Sequence, residues 1–114
     1  MDNLAKFISS PQSNAWLTVG NMSVYVRKGH HPFNDEIIAT IDIANVSVPS
    51  KYQNQGTFTR FLEDVESLGL PVYIENVLTP RFADFFRKRG YDTVSARYDI
   101  VSFLRLDDKE GILT

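Results

Sequence analysis

The segment IIATIDIANVSVPSKYQNQGTFTRFLEDVESLGLPVYIENVL, residues 37–78, decides the fold of this 114-residue chain. Residues 37–48 are rich in β-branched side chains and contain neither Gly nor Pro, which predicts one long strand or two strands around a bulge. After a polar loop, apolar residues recur at helical spacing from Phe58 to Leu68, and a second apolar run begins at Leu70. The segment therefore predicts a strand, a polar loop, an amphipathic helix and a buried strand, in that order.

Upstream of this segment, the sequence predicts a short helix and a β-hairpin. Apolar residues within residues 4–8 recur at helical spacing, and the Gly-Asn dipeptide at residues 20–21 suits a tight turn between two strands within residues 15–27. Residues 29–35 contain Gly, Pro and two adjacent His without periodicity, so we interpret them as a loop that links the hairpin to the central strand.

Downstream, the sequence predicts a second helix and a final pair of strands. Pro80 begins a helical run that Gly90 ends, and residues 93–97 and 100–106 predict two antiparallel strands before a polar tail at residues 107–114. A chain of 114 residues can bury one core, so we expect a single domain, 1–114, with the order α, β, β, β, α, β, α, β, β.

The composition narrows the classes of function. A net charge of −2 gives the chain no overall positive field, so nucleic acid is an unlikely partner and membrane binding is not expected. The chain has no Cys, which excludes disulfides, thiolate metal ligands and a Cys nucleophile. His30 and His31 are adjacent and have no other ligands at metal-binding spacing, so no metal site is predicted. We read no export signal or membrane span and expect a soluble cytoplasmic protein.

The polar loop before the central helix has the composition of an anion site. The first N–H groups of a helix lack partners within the helix, and the dipole favours negative charge there. Gly56 would allow a diphosphate to approach the backbone closely, since it has no Cβ. An ordinary strand-to-helix turn with a Thr cap explains the same residues equally well.

Two motifs resemble those of the GNAT acetyltransferase superfamily. The stretch QNQGTF, residues 53–58, follows a strand ending in VSV, residues 46–48, and is similar to the family's Gln/Arg-x-x-Gly-x-Gly/Ala motif for acyl-coenzyme A. The stretch PRFADFFRKRGY, residues 80–91, resembles the family's later helix, with its aromatic pair, three variable residues, Gly and a final aromatic residue. The resemblance covers residues 37–98.

The resemblance implies an α+β, three-layer GNAT-like fold with a mixed, mostly antiparallel sheet and flanking helices. Two parallel strands, residues 40–48 and 72–78, would splay apart and hold the pantetheine arm of acetyl-coenzyme A, while the helix start would hold the pyrophosphate. The residues implied to bind the cofactor are Val46, Val48, Gln53, Asn54, Gln55, Gly56, Thr57, Phe58, Thr59, Thr79, Phe82 and Phe86.

The catalytic groups follow the family pattern less closely. Phe86 occupies the position at which many family members have a Tyr that protonates the leaving thiolate, and a phenyl ring has no proton to donate. Asp42 and Glu75 are candidate general bases because burial in a strand would raise their pKa, and each has a structural role in a polar network as its alternative. Tyr73 shares a strand face with Glu75 and could replace the missing acid.

The sequence therefore predicts an N-acyltransferase that moves an acetyl or similar group from acyl-coenzyme A to an amine of an unknown acceptor, either a small molecule or a protein. The alternative is a catalytically weak or inactive GNAT-like module that binds or inhibits another protein, which Phe58 and Phe86 favour. A chain this short would leave the acceptor pocket incomplete, which a homodimer could remedy.

Overall fold

The computed structural model describes residues 2–47, 56–77, 80–97 and 100–106. The predicted order of elements is confirmed. The three helices are α1 (Asp2–Ser9), α2 (Thr57–Ser67) and α3 (Pro80–Lys88). The six strands are β1 (Asn14–Val19), β2 (Met22–Phe33), β3 (Glu36–Ser47), β4 (Val72–Val77), β5 (Asp92–Arg97) and β6 (Ile100–Arg105).

All six strands form one mixed sheet in the order β1-β2-β3-β4-β6-β5. The β3 and β4 strands are parallel and the four other neighbouring pairs are antiparallel. The parallel pair is the one that α2 connects, because two parallel neighbours need a crossover and a helix supplies it. The predicted α+β class, with a mostly antiparallel sheet and helices beside one parallel pair, is confirmed.

The interpretation of residues 29–35 as a linker is wrong. The β2 strand continues through both histidines to Phe33, and β3 begins at Glu36, so only Asn34 and Asp35 form the turn. Both turn residues have positive φ, 50° and 65°, which Asn and Asp tolerate better than most side chains and which matches the turn of a tight hairpin. Residues 29–35 contain Gly and Pro, which are typical of loops, and yet residues 29–33 belong to a strand that pairs along its whole length.

One face of the sheet, here called the helix face, carries the core. It presents apolar strand residues in several cross-strand rows, and the buried residues of all three helices belong to the same apolar cluster. We call the opposite side the polar face, since Arg27, Asp42 and Tyr73 lie on it in register across three strands. No helix among the described residues packs on the polar face, so these residues form two layers and not the three that the resemblance implied. The strand residues of the helix face are Leu17, Val24, Val26, Ile41, Ile43, Val72, Ile74 and Phe103.

Candidate functional site

The parallel strands β3 and β4 pair over only three residues each. Ile41, Asp42 and Ile43 lie opposite Val72, Tyr73 and Ile74, and beyond this point the described residues of the two strands form no ladder pair with each other. Both strands continue, β3 to Ser47 and β4 to Val77, so a gap opens between them. The backbone edges that face the gap are available to a ligand because neither strand supplies the other's hydrogen bonds there.

Each strand carries an irregularity where the gap begins. On β3, Tyr25 pairs with Asn45 while Val26 pairs with Ile43, which leaves Ala44 as the extra residue of a bulge. On β4, the register with β6 also shifts, between Ile74 and Val77. Because a bulge bends its strand and increases the local twist, two bulges directly after the last parallel pair explain why the strands separate there.

A cleft of about 250 Å³ fills the gap. Its walls come from both strands and from the two helices that follow them, which brings the start of α2 and the face of α3 to the same space. This volume is at the lower end of that of small-molecule sites, so it suits a slender chain better than a bulky ring system. The lining residues are Ile43, Ala44, Asn45, Val46, Phe58, Ile74, Glu75, Val77, Phe82 and Phe86.

Three phenyl rings form the apolar wall of the cleft. Phe58 of α2 contacts Phe82 and Phe86 of α3, with ring centroids 5.4 and 6.1 Å apart. Phe86 is fully buried and also packs on Phe103 of β6 at 5.5 Å. These edge and tilted contacts stabilise the corner between the two helices. The phenylalanine cluster therefore joins the core to the cleft.

The start of α2 has the geometry of an anion-binding site. Gly56 is the residue before the helix, with φ 75° and ψ 6°, and no side chain caps the helix end. The alternative of a Thr cap is thus wrong, because a glycine in the left-handed conformation takes that position. The first intrahelical bond runs from Arg60 N to Gly56 O at 3.0 Å, which leaves the three preceding N–H groups without helical acceptors.

The polar edge of the cleft carries a charged pair. Glu75 lines the cleft, and its carboxylate contacts the guanidinium of Arg27, which reaches from β2 across β3. The Glu75 side chain is 20% exposed and that of Arg27 is 39% exposed. Glu75 and Tyr73 share the polar face, as their alternation on one strand predicted.

A second group on the polar face surrounds Asp42, which is 3% exposed. His31 Nε2 lies 2.9 Å from Asp42 Oδ2, and Thr40 Oγ1 donates to Asp42 Oδ1 at 2.5 Å. The His31 ring stacks on the Tyr73 ring, with 3.6 Å between centroids and 10° between planes. Asp42 and Tyr73 are strand partners immediately before the last parallel pair, so this group lies at the closed end of the gap.

The predicted site residues that lie in the described ranges fall into three sets. Glu75, Val46, Phe58, Phe82 and Phe86 line the cleft. Asp42 and Tyr73 lie at its closed end, and Gly56, Thr57 and Thr59 lie at the start of α2. The remaining predicted residues are outside the described ranges and their predictions stay as made: Val48, Gln53, Asn54, Gln55 and Thr79.

Two residues near the site were missed by the sequence analysis. His31 was assigned to a loop, although its alternation with Arg27 and Gly29 on an extended strand could have placed all three on one face. Arg60 was read only as a helix residue. Its Nη1 atom would lie 3.1 Å from a Cβ built on Gly56, so its positive charge lies at the helix start. An Arg four residues after the motif Gly is the signal that could have indicated it.

No protein-family model and no curated protein matches the chain. Solved structures do: two structures of a tyrosine-to-phenylalanine mutant of the AtaT toxin, one bound to the C-terminus of the antitoxin AtaR and the other to that segment and acetyl-CoA. Each has a TM-score of 0.58 and 13% identity and covers 81% of this chain. The chain spans 62% of the length of those toxin chains. The likeness supports a GNAT-like fold.

No group of three or more His, Cys, Asp or Glu residues in the described ranges is arranged to hold a metal ion. None of the helices there is long and apolar enough to span a membrane.

Proposed function

We propose that this chain is an N-acyltransferase that uses acetyl-coenzyme A or a related acyl donor. The observation that carries the proposal is the cleft between β3 and β4, which the start of α2 borders through Phe58. A narrow cleft ending at an uncapped helix start matches a ligand with a slender arm and a diphosphate. Acetyl-CoA has this shape, and the AtaT complex with acetyl-CoA shares the fold.

In this proposal, different residues bind different parts of the cofactor. The backbone of Val46 and Val48 binds the pantetheine amides, since among the described residues β3 has no ladder partner on the gap side beyond Ile43. Residues 53–59 surround the pyrophosphate, where the helix N–H groups and Arg60 offer positive charge. Phe58, Phe82 and Phe86 form the apolar wall beside the arm, and Thr79 donates one hydrogen bond to it.

The acyl carbon would lie near the closed end of the gap, where the carboxyl and phenol groups are concentrated. Direct attack of an amine on a thioester requires mainly positioning and removal of a proton. Glu75, Asp42 and Tyr73 stay the proposed residues of the catalytic centre, with the Tyr73 hydroxyl near the departing thiolate. Because Phe86 offers no proton, we expect slow turnover.

Calorimetric titration with acetyl-CoA tests this proposal. Gly56→Asp places a carboxylate at the helix start, and Asp tolerates positive φ better than most residues. The matched control is Gly20→Asp, which shares the positive φ, 60°, and the change of charge but lies in the β1-β2 turn. We expect wild type and Gly20→Asp to bind acetyl-CoA and Gly56→Asp to lose at least about tenfold in affinity. Absence of binding by the wild type would refute the proposal.

A second candidate function is a GNAT-like module that binds another protein with little or no catalysis. Phe86 favours it, because a fully buried phenyl ring lines the cleft where a proton donor would otherwise serve. The complex of AtaT with an antitoxin C-terminus makes a protein partner reasonable for this fold. Under this alternative, the chain either binds acetyl-CoA without releasing free coenzyme A or has lost the cofactor, and the partner could be a second copy of the chain.

A further inference from the structure

We propose that His31 is the general base of this acyltransferase and that Asp42 orients it. The inference rests on the proposed function, and it names a residue outside the set of candidate catalytic residues that the sequence suggested. The arrangement combines an imidazole, a buried carboxylate and a strand position beside the closed end of the cleft.

The contacts of Asp42 hold the His31 ring in one orientation. Its carboxylate is 3% exposed and accepts from Thr40 Oγ1 through Oδ1, which leaves Oδ2 for His31 Nε2 at 2.9 Å. Gly29 makes room for this carboxylate, because a Cβ on Gly29 would collide with all three of its outer atoms. The pairing therefore depends on the absence of a side chain at Gly29 as well as on the two donors.

The geometry also assigns the tautomer of His31. A carboxylate accepts hydrogen bonds, so Nε2 carries the proton and donates it to Asp42, and Nδ1 keeps its lone pair. The His31 side chain is 23% exposed, and its ring stacks on Tyr73, which fixes the ring plane. Within the described ranges, the hydrogen bond of the ring is the one from Nε2 to Asp42. An imidazole that a carboxylate orients through one nitrogen, with the other nitrogen left to accept a proton, is the arrangement that general bases use.

This arrangement gives a balanced reaction. The ammonium of the acceptor transfers one proton to His31 Nδ1, and the resulting amine attacks the carbonyl carbon of the thioester. The N–C bond forms, the C–S bond breaks, and coenzyme A leaves as a thiolate. The second proton on the nitrogen passes to the thiolate or to solvent, and His31 returns its proton to solvent. Asp42 stays a carboxylate throughout and stabilises the imidazolium.

The test compares three proteins: wild type, His31→Gln and His30→Gln. Glutamine at position 31 can still donate an N–H to Asp42 but has no nitrogen that accepts a proton. His30 is exposed and points away from Asp42, so it is the matched control. Free coenzyme A from acetyl-CoA is followed with a thiol reagent, with spermidine and a lysine-containing peptide as acceptor probes. The chain has no Cys, so it adds no thiol signal of its own.

We expect His31→Gln to lower kcat by about 100-fold or more, with unchanged affinity for acetyl-CoA and unchanged thermal stability. His30→Gln keeps the wild-type rate, and added imidazole restores part of the rate of a His31→Gly variant. In ¹⁵N NMR, where the chain has two imidazoles to assign, His31 shows the Nε2–H tautomer.

Three results would overturn the inference: an Nδ1–H tautomer, a wild-type rate for His31→Gln, or no thiol release by a wild type that binds acetyl-CoA. A wild type that binds no acetyl-CoA would instead refute the proposed function, and the general base with it. Binding with normal turnover in His31→Gln refutes the base alone. The two failures are thus distinguishable.

Discussion

Two carboxylates in this molecule, the partly buried Glu66 on α2 and the buried Asp42 on β3, are held by contrasting partners. Glu66 accepts from Arg89 Nε and Nη2 at 2.9 and 2.8 Å and from the Tyr91 hydroxyl at 2.7 Å. Asp42 is held by a threonine and a histidine. The arginine guanidinium has no site that accepts a proton, whereas an imidazole has a second nitrogen that can. The first cluster can therefore only hold elements together, while the second also has a group able to accept a proton.

The surroundings of the two clusters agree with this difference. The Glu66 cluster joins the end of α2 to residues that follow α3 and, through Arg105, to β6, on the helix face and away from the cleft lining. The Asp42 cluster lies on the polar face, at the closed end of the gap. A carboxylate with hydrogen-bonding partners thus has a structural role in the Glu66 cluster and belongs to a candidate catalytic group in the Asp42 cluster.

The pKa shifts of Glu66 and Tyr91 also indicate a structural role for the Glu66 cluster. Burial alone would raise the pKa of Glu66, but the hydrogen bonds from Arg89 and Tyr91 and the charges of Arg89 and Arg105 outweigh it, so the pKa lies below its ordinary value of 4.5. Burial and the hydrogen bond to Glu66 raise the pKa of Tyr91 above its ordinary value of 10. The cluster therefore favours an ionised Glu66 and a neutral Tyr91.

The largest expected effect comes from removing the charge of Glu66. We expect Glu66→Gln to lower the free energy of unfolding by about 2–3 kcal/mol, because charge-assisted hydrogen bonds from Arg89 are lost. Since the folded-state pKa is lowered, the wild type keeps this stabilisation above the ordinary carboxyl pKa and loses it as the pH falls through the folded value. Urea unfolding near pH 7 and at about pH 3.5 should show the difference between the two proteins shrinking in acid.

The control for this prediction is Glu63→Gln, an exposed glutamate on the same helix. It should change stability by less than about 0.5 kcal/mol at either pH. If Glu66→Gln behaves like the control, the Glu66 cluster does not hold α2 in place. The proposed contrast between a structural Glu66 and a catalytic Asp42 cluster would then be wrong.

The second prediction concerns the space that Gly29 leaves for Asp42. We expect Gly29→Ala to cost about 2 kcal/mol, since the added methyl overlaps the carboxylate and must displace it. The same substitution in an Asp42→Ala background should cost about 0.5 kcal/mol or less, because the colliding group is gone. Chemical denaturation of the four proteins of this cycle measures the coupling. Equal losses of unfolding free energy in both backgrounds would show that Gly29 is not needed to make room for the Asp42 carboxylate.

Much of the fold follows from local sequence signals. The periodicity of residues 58–68 predicts α2, the β-branched run predicts β3, and Gly69 and Gly90, with φ of 76° and 94°, end the helices as expected. These signals act within one turn of helix or one strand, so a single sequence records them directly.

The site was less predictable because it depends on contacts between distant residues. The sequence pattern placed Tyr73 beside Glu75, but the contact of His31 with Asp42 spans 11 positions and requires β2 to extend through a Gly and a Pro. The bulge at Ala44 was foreseen only as an alternative, since its position is set by pairing with β2. The Glu66 cluster was missed entirely, as Arg89 and Tyr91 are 23 and 25 residues away.

The smallest expected effect tests the second support of Asp42. Thr40→Val keeps the β-branched shape that a strand favours but removes the donor to Asp42 Oδ1, which leaves a buried oxygen without that partner. We expect a loss of about 1 kcal/mol in urea unfolding, whereas Thr18→Val at an exposed position of β1 should be nearly neutral. If Asp42 relies on Thr40 for its orientation, the ¹⁵N signals of His31 shift in Thr40→Val and not in Thr18→Val. Unchanged His31 signals would mean that Gly29 and His31 suffice to fix the carboxylate, and Thr40 would then contribute stability alone.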